Sequence, residues 1–370
     1  MPTAPTFSPL NIPNHKLKIW LLVPHIECDD PNLQYYYDFN QSLSEYQKVF
    51  EEMKIDWKWQ PVTMQNYRSI IDEIAFSSNG QMPFVLNLCD GDEINGTPGI
   101  SVVHYLEQKG LCYSGSSAEF YSITTSKITM KEAFDTCAVP TPKWEVITNK
   151  EPHLNGIFGN VGSPLILKPA ISGGSLGISV KNVVHNENEL KEQIQLLYEG
   201  YRGWDLSSGG LIAEEFIKGP EFTTLIVGSY DRPNECIHYL PVERVFHSSL
   251  PDTEKFLSFD RLWEFYDNEP AMPNDENFFD YYLPAPELIK PLQQITLDAY
   301  TAVKGSGYAR VDIRMDAQTK KLYVLEVNSQ CGLSEDEDHT SIGAILRVSG
   351  KSFGQLVVEI ICDSLKRNNN

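Results

Sequence analysis

"RVDIRMDAQTKKLYVLEVN", residues 310–328, consists of two alternating runs joined by a polar turn at 317–320. A turn centred near Thr319 sets Asp312 opposite Glu326 and Arg310 opposite Asn328. Strand side chains alternate with a period of two, so these four residues share one face of an antiparallel hairpin. Two carboxylates opposed with Cβ atoms about 5 Å apart repel each other unless a cation lies between them. A hard divalent ion such as Mg²⁺, bound through oxygen and partly by phosphate, resolves that conflict. The arginine on the same face would stabilise negative charge developing beside the metal. A solvent-facing hairpin with a charged outer face could produce the same string, so the reading depends on the rest of the chain.

Upstream, "LILKPAISGGSLGISV" (165–180) reads as strand, glycine loop, strand, with Lys168 at the end of the first run. Glycines let backbone N–H groups approach phosphate closely, and the lysine supplies charge. A glycine loop between two strands implies a flap folding over phosphates, because the segment fits neither G-x-x-x-x-G-K-[ST] nor G-x-G-x-x-G. "GKS" at 350–352 imitates the tail of the first motif, but Ile345 stands where its first glycine belongs. "AEEFIKGPEFT" (213–223) suits a strand edge that pairs with adenine while Glu221 takes ribose hydroxyls; a plain hairpin fits it equally.

Outward from these segments, "KIWLLV" (18–23), "SLSEYQKVFEEM", "PFVLNL" (83–88) and "TPGISVVHYLEQKG" alternate strand and helix. That order predicts a parallel α/β unit over the first 120 residues or so. A helix is expected from Thr124 to just before Pro140, another in "NENELKEQIQLLYEG", and a strand-rich third block after "SSGG" (207–210). The α/β (α+β) chain thus divides into a flexible lead-in (1–17), an N-terminal α/β domain (18–122), a central subdomain (123–210) and a C-terminal one (211–370). Residues 248–286 read as a long loop, and loops of that length in compact domains are functional or disordered.

With 370 residues and a net charge of −20, nucleic acid and anionic membranes are excluded as partners. Seven scattered cysteines without C-x-x-C argue against a disulfide framework or zinc cluster and for a reducing, cytoplasmic setting. No apolar run reaches transmembrane length, and the Pro-rich start lacks the pattern of a secretory signal.

Taken in order, these segments resemble the ATP-grasp superfamily, and within it the D-alanine:D-alanine ligase family, from about Lys18 to the C-terminus. The resemblance implies an ATP-grasp fold whose central and C-terminal subdomains sandwich ATP, with two Mg²⁺ ions or Mn²⁺ in their place. It matches Lys127 and Lys168 to the phosphate-contacting lysines, and Ser175 to a catalytic serine of the flap. Glu214, Glu215, Phe216, Ile217 and Glu221 match the adenosine-binding edge. Asp312, Glu326 and Asn328 match the metal ligands and Arg310 the catalytic arginine. The implied reaction phosphorylates a carboxylate and lets an amine attack the acyl phosphate, with small-molecule amino acids or amines as substrates. A homodimer is expected from the resemblance alone.

The sequence departs from the family at Asp90, which stands in place of a histidine, at Gly174, which replaces a serine, and at Ala271, which replaces a lysine of the closing loop. A longer and more acidic "GLSEDEDHTSIG" (332–343) is the fourth departure. Glu27, Asp29 or Asp30 could hold a donor's ammonium group, or equally serve as helix-capping residues in a solvated loop. Gly332, Ser334, Asp336, His339 and Ser341 are candidate acceptor contacts, with His339 a possible base; a solvated charge run is the alternative. Acids at 335–338 would repel an acceptor carboxylate, so the expected acceptor is an amine other than D-alanine. Genuine D-alanine:D-alanine ligation and a non-catalytic ATP-binding protein are the competing expectations.

Overall fold

The computed structural model describes residues 10, 13–26, 39–77, 80–154, 156–266, 269–337 and 340–368. The N-terminal unit contains β1 (Leu17–Pro24), α1 (Asn40–Met53), β2 (Asp56–Val62), α2 (Tyr67–Phe76), β3 (Met82–Asn87), α3 (Ile100–Gln108) and β4 (Cys112–Tyr113). Its sheet is parallel, in the order β2-β1-β3-β4. β1 is buried along nearly its whole length, as an apolar run covered on both faces must be. Tyr46, Val49, Phe50 and Met53 recur at helical spacing on α1 and pack against one face; Ile71, Ile74, Val102, Val103 and Leu106 of α2 and α3 cover the other. β2 lies at the edge of the sheet, where "DWKWQPV" mixes aromatic with polar residues and only its last residue, Val62, is buried.

α4 (Ala118–Thr125) and α5 (Lys127–Thr136) follow. The single helix expected from Thr124 is in fact two. Ser126 adopts an extended backbone between them, and its side chain accepts from Ile128 N as the N-cap of α5.

A smaller antiparallel sheet, in the order β5-β8-β6-β7, is built from β5 (Trp144–Ile147), β6 (Leu165–Pro169), β7 (Val183–Val184) and β8 (Leu211–Glu215), with α6 (Ile157–Asn160) and α7 (Glu187–Glu199). The strand expected after the glycine loop is a 3₁₀ turn, Val180–Asn182, leading into the two-residue β7. Asn182 fixes that turn through a capping box with Ser179.

The larger sheet runs β12-β11-β9-β13-β14, with β10 (Ile237–His238) also on β9. It comprises β9 (Glu221–Ser229), β11 (Val242–Phe246), β12 (Phe279–Tyr282), β13 (Ser306–Met315) and β14 (Leu322–Ser329), accompanied by α8 (Phe259–Trp263), α9 (Pro286–Ala302), α10 (Ser341–Ser349) and α11 (Phe353–Asn368). The long segment expected as loop therefore carries α8 and β12. α9 covers one face through Leu292, Ile295 and Ala299. On the other face Leu356, Ile360 and Ile361 of α11 join a core shared with β1 and α1. That shared core seats the C-terminal ends of β1 and β3, where open parallel sheets bind ligands, beside β13 and β14. We propose that the units remain those expected from the sequence, with β8, at the proposed 210/211 boundary, paired into the smaller sheet.

Candidate active site

β13 and β14 pair with Arg310 opposite Asn328 and Asp312 opposite Glu326. The register shifts between Asp312 and Ile313, so that Ile313 meets Val324 and Leu325 is the extra residue. β9 lies on the other side of β13 and extends the same face into rows. Arg244, Glu221 and Arg314 form one row; Thr223, Asp312 and Glu326 the next; Arg310 and Asn328 the third.

In the middle row Asp312 accepts from Thr223 Oγ1 (2.9 Å), Arg310 Nη2 (3.1 Å) and Asn328 Nδ2 (3.0 Å). Asn328 Nδ2 also reaches Glu326 Oε1 at 3.3 Å. Burial pushes the Asp312 carboxyl above the usual range. Burial alone would raise Glu326 too, but Lys127, Arg310 and Lys168 hold it down at about 2. Among the described residues no group of three or more His, Cys, Asp or Glu side chains has metal-site geometry. Mg²⁺ asks for less: two carboxylates and an amide oxygen suffice when phosphate and water complete an octahedral shell. Arg310 Nε, buried and without a hydrogen-bond partner among the described residues, leaves a donor available beside that oxygen set.

The cationic wall comes from α5 and β6. Lys127 Nζ lies 3.5 Å from Glu326 Oε2 and donates to Ser172 O in the flap at 3.1 Å. Lys168 Nζ donates to Glu214 Oε1 at 2.8 Å, while the other oxygen of Glu214 is 2.5 Å from Lys131 Nζ. Burial would raise Glu214, yet Lys131 and Lys168 keep its carboxyl below the usual range. The sequence reading missed Lys131; its signal is the four-residue spacing from Lys127, which puts both on one face of α5.

The flap turns through Gly174 and Ser175, both in the left-handed region, with φ of +54° and +59°. Ser175 Oγ donates to Leu257 O at 3.0 Å, and Trp263 Nε1 donates to Gly174 O at 2.9 Å. The long segment is thus fastened onto the flap. Glu269, 2% exposed, reinforces this by accepting from Val180 N and Ser258 Oγ and pairing with Arg261.

At the expected adenosine edge, the backbones of Glu214 and Glu215 are already paired with β5 and β6. Phe216 N donates to Pro164 O, and Ile217 O accepts from Arg314 Nη1. Ile217 N has no hydrogen bond among the described residues, which leaves a donor on the cavity wall for a purine nitrogen. Glu221 lies between Arg244 and Arg314, each holding one of its oxygens. Neither arginine was anticipated.

Gly332, Ser334 and Ser341 line the same cavity, of about 570 Å³, as do Phe39, Gln41 and Ser42 around the start of α1, which the sequence reading did not single out. Ser334 Oγ is engaged by Glu45 Oε1 at 2.7 Å. Asp336 N bonds Ser334 Oγ. Glu337 forms a bidentate pair with Arg347, and Glu335 is 3.7 Å from Lys48. Glu27, Asp29, Asp30, Asp338 and His339 lie outside the described residues. Gly350 of the "GKS" decoy is the left-handed C-cap of α10.

Two antiparallel sheets closing on a cavity walled by a carboxylate pair, lysines and a glycine flap define an ATP-grasp protein. Among solved structures, D-alanine–D-alanine ligase from Bacillus anthracis complexed with ATP superposes with a TM-score of 0.68 at 20% identity, covering 96% of this chain and 99% of that one. The VanG D-Ala:D-Ser ligase of Enterococcus faecalis gives 0.65 at 18%, covering 95% and 100%. The profile of the "D-ala D-ala ligase C-terminus" family matches residues 134–362. A D-alanine–D-alanine ligase of Marinobacter nauticus is 30% identical over 263 residues, which is 70% of this chain and 69% of that protein. The one from Albidiferax ferrireducens is 27% identical over 256 residues; the match spans 69% of this chain and 65% of that protein, just under two thirds of its length. The chain belongs to the D-alanine–D-alanine ligase family.

Proposed function

We propose that this protein is an ATP-dependent, ADP-forming ligase that joins the carboxylate of an amino acid to an amine. The observation that carries the reading is the row Thr223–Asp312–Glu326 facing Lys127 and Lys168 across one cavity. A carboxylate oxygen attacks the γ-phosphorus of ATP, the bond to the β-phosphate oxygen breaks, and ADP leaves. The amine nitrogen then attacks the acyl carbon; the C–O bond to phosphate breaks and the amine's protons are lost to solvent. Positioning and charge stabilisation supply most of the rate in such a transfer.

Asp312, Glu326 and Asn328 would hold Mg²⁺, which would supply positive charge to neutralise the phosphates. Lys127 and Lys168 place positive charge where the phosphates lie, and Arg310 steadies the tetrahedral adduct. Ser175 and Trp263 keep the flap and the long segment together, excluding water. Phe216 and Ile217 receive the adenine and Glu221 the ribose. Two metal ions, replacement by Mn²⁺, cytoplasmic location and a homodimer belong to the same proposal. No helix among the described residues is long and apolar enough to cross a membrane.

An acceptor other than D-alanine is the finer proposal, resting on the acidic run. Against it stand the pairing of Glu337 with Arg347 and the names of the curated relatives. Release of ADP, measured over D- and L-amino acids singly and with amine acceptors, tests both. Amino-acid-dependent ADP with an equimolar amide supports the ligase, and the preferred acceptor settles the second point. No amino-acid-dependent ADP from a protein that binds ATP marks it as non-catalytic.

A further inference from the structure

Among the described residues, the acids around the substrate end of the cavity are nearly all occupied. Asp92 Oδ1 accepts from Ile94 N and Asn95 N, holding its own turn. Glu93 accepts from Gly99 N, Ser101 N and Ser101 Oγ at the start of α3. Glu45 is taken by Ser334 and Gln41, and Glu337 by Arg347. Asp90 differs. It lines the cavity, its side chain is open to it, and among the described residues its carboxylate accepts from its own backbone N–H but has no ion-pair partner.

The position of Asp90 is nonetheless fixed. Gly91 N donates to Pro98 O and Gly91 O accepts from Tyr121 Oη. A Cβ on Gly91 would come within 2.1 Å of Thr97 O, so only glycine permits this packing. On the other side Cys89 N is held by Asn87 Oδ1, and Asn87 O accepts from Gln330 Nε2. Gln330 is two residues past Asn328, so this tie locks the loop after β3 to the strand of the metal row. An unpaired carboxylate held rigidly in a cavity wall is a receptor for a cation.

Resting on the ligase reading, we infer that Asp90 binds the α-ammonium group of the amino acid whose carboxylate is phosphorylated. The choice of donor over acceptor follows from the chemistry. The acceptor's nitrogen must shed its proton to attack, whereas the donor's ammonium group remains a charged spectator throughout. Burial, reinforced by Asp92, pushes the Asp90 carboxyl up to about 6. The titratable groups that respond to its charge are Cys89, Tyr121, Tyr308 and Cys331, Asp92 acts on it in turn, and none of the five is cationic. Donor binding should therefore weaken as pH falls through that value.

The test is ADP release by wild type, Asp90→Asn and Asp90→Glu from pH 5 to 8, varying the best donor amino acid and its deaminated analogue. In wild type, KM for the amino acid should rise about tenfold per pH unit below 6. Asp90→Asn should raise that KM at least tenfold at pH 7.5, leave KM for ATP within twofold, abolish the acid limb and erase the preference over the deaminated analogue. Asp90→Glu should restore part of the preference. An Asn variant that keeps the wild-type KM and acid limb overturns the inference while leaving the ligase reading intact. A wild type that releases no ADP with any amino acid overturns both.

Discussion

Asp312 and Glu326 are direct cross-strand partners, and the single amide of Asn328 donates to both, at 3.0 Å and 3.3 Å. A hydrogen-bonded amide relieves such a pair only in part, and a divalent cation relieves it fully. Asp312→Asn and Glu326→Gln should each lower kcat about 10²- to 10³-fold and raise the Mg²⁺ concentration needed for half activity. Without metal, Asp312→Asn should melt at or above the wild-type temperature, because burial and Glu326 disfavour its charge, whereas Glu326→Gln should melt below it, because Lys127, Arg310 and Lys168 lose their shared carboxylate. Unchanged Mg²⁺ dependence in both variants would contradict this role.

Lys131 and Lys168 share the Glu214 carboxylate, and Lys131 is fully buried. Removing one partner of a buried ionic group costs about 3 kcal/mol. Lys131→Met should lose about that much in urea unfolding, and should raise KM for ATP by drawing Lys168 more tightly onto Glu214. A Glu214→Gln, Lys131→Met double variant should recover part of the stability.

Glu269 fastens the long segment to Val180 at the end of the flap. Glu269→Ala should loosen that closure and admit water to the acyl phosphate. The expected result is phosphate released in excess of amide, where wild type gives a ratio near one. An unchanged ratio would show that the fastening does not exclude water.

The hairpin was legible in sequence because antiparallel register is local: a short polar turn and a count of positions place four side chains on one face. Even the bulge at Leu325 did not spoil it, because the shift falls on the turn side of Asp312. Long-range partners were not legible. Thr223 reaches Asp312 from 89 residues away, and Arg244 meets Glu221 only once β11 lies beside β9. The acids after Gly332 looked free for a substrate because sequence displays charge without its counter-ion. Arg347, one turn from the end of α10, takes Glu337. The break at Ser126 was hidden because a serine inside a helical pattern and a serine capping a new helix read alike.

Glu45 is buried at 5% exposure, and its Oε2 has no hydrogen-bond partner among the described residues. Burial pushes its carboxyl above the ordinary 4.5, outweighing the hydrogen bonds from Ser334 and Gln41. The folded protein therefore binds this proton more tightly than the unfolded chain. The contribution of Glu45 to stability is greatest below 4.5 and declines as pH rises toward the folded value. Glu45→Gln should remove that decline and be at least as stable as wild type at pH 7. Parallel stability curves for the two proteins would contradict the assignment.

An acyl phosphate leaves an isotopic record of which oxygen attacked ATP. With an amino-acid donor carrying ¹⁸O in its carboxylate, one labelled oxygen should appear in each phosphate released as the amide forms. Amide formed with unlabelled phosphate would show that the carboxylate never attacks ATP.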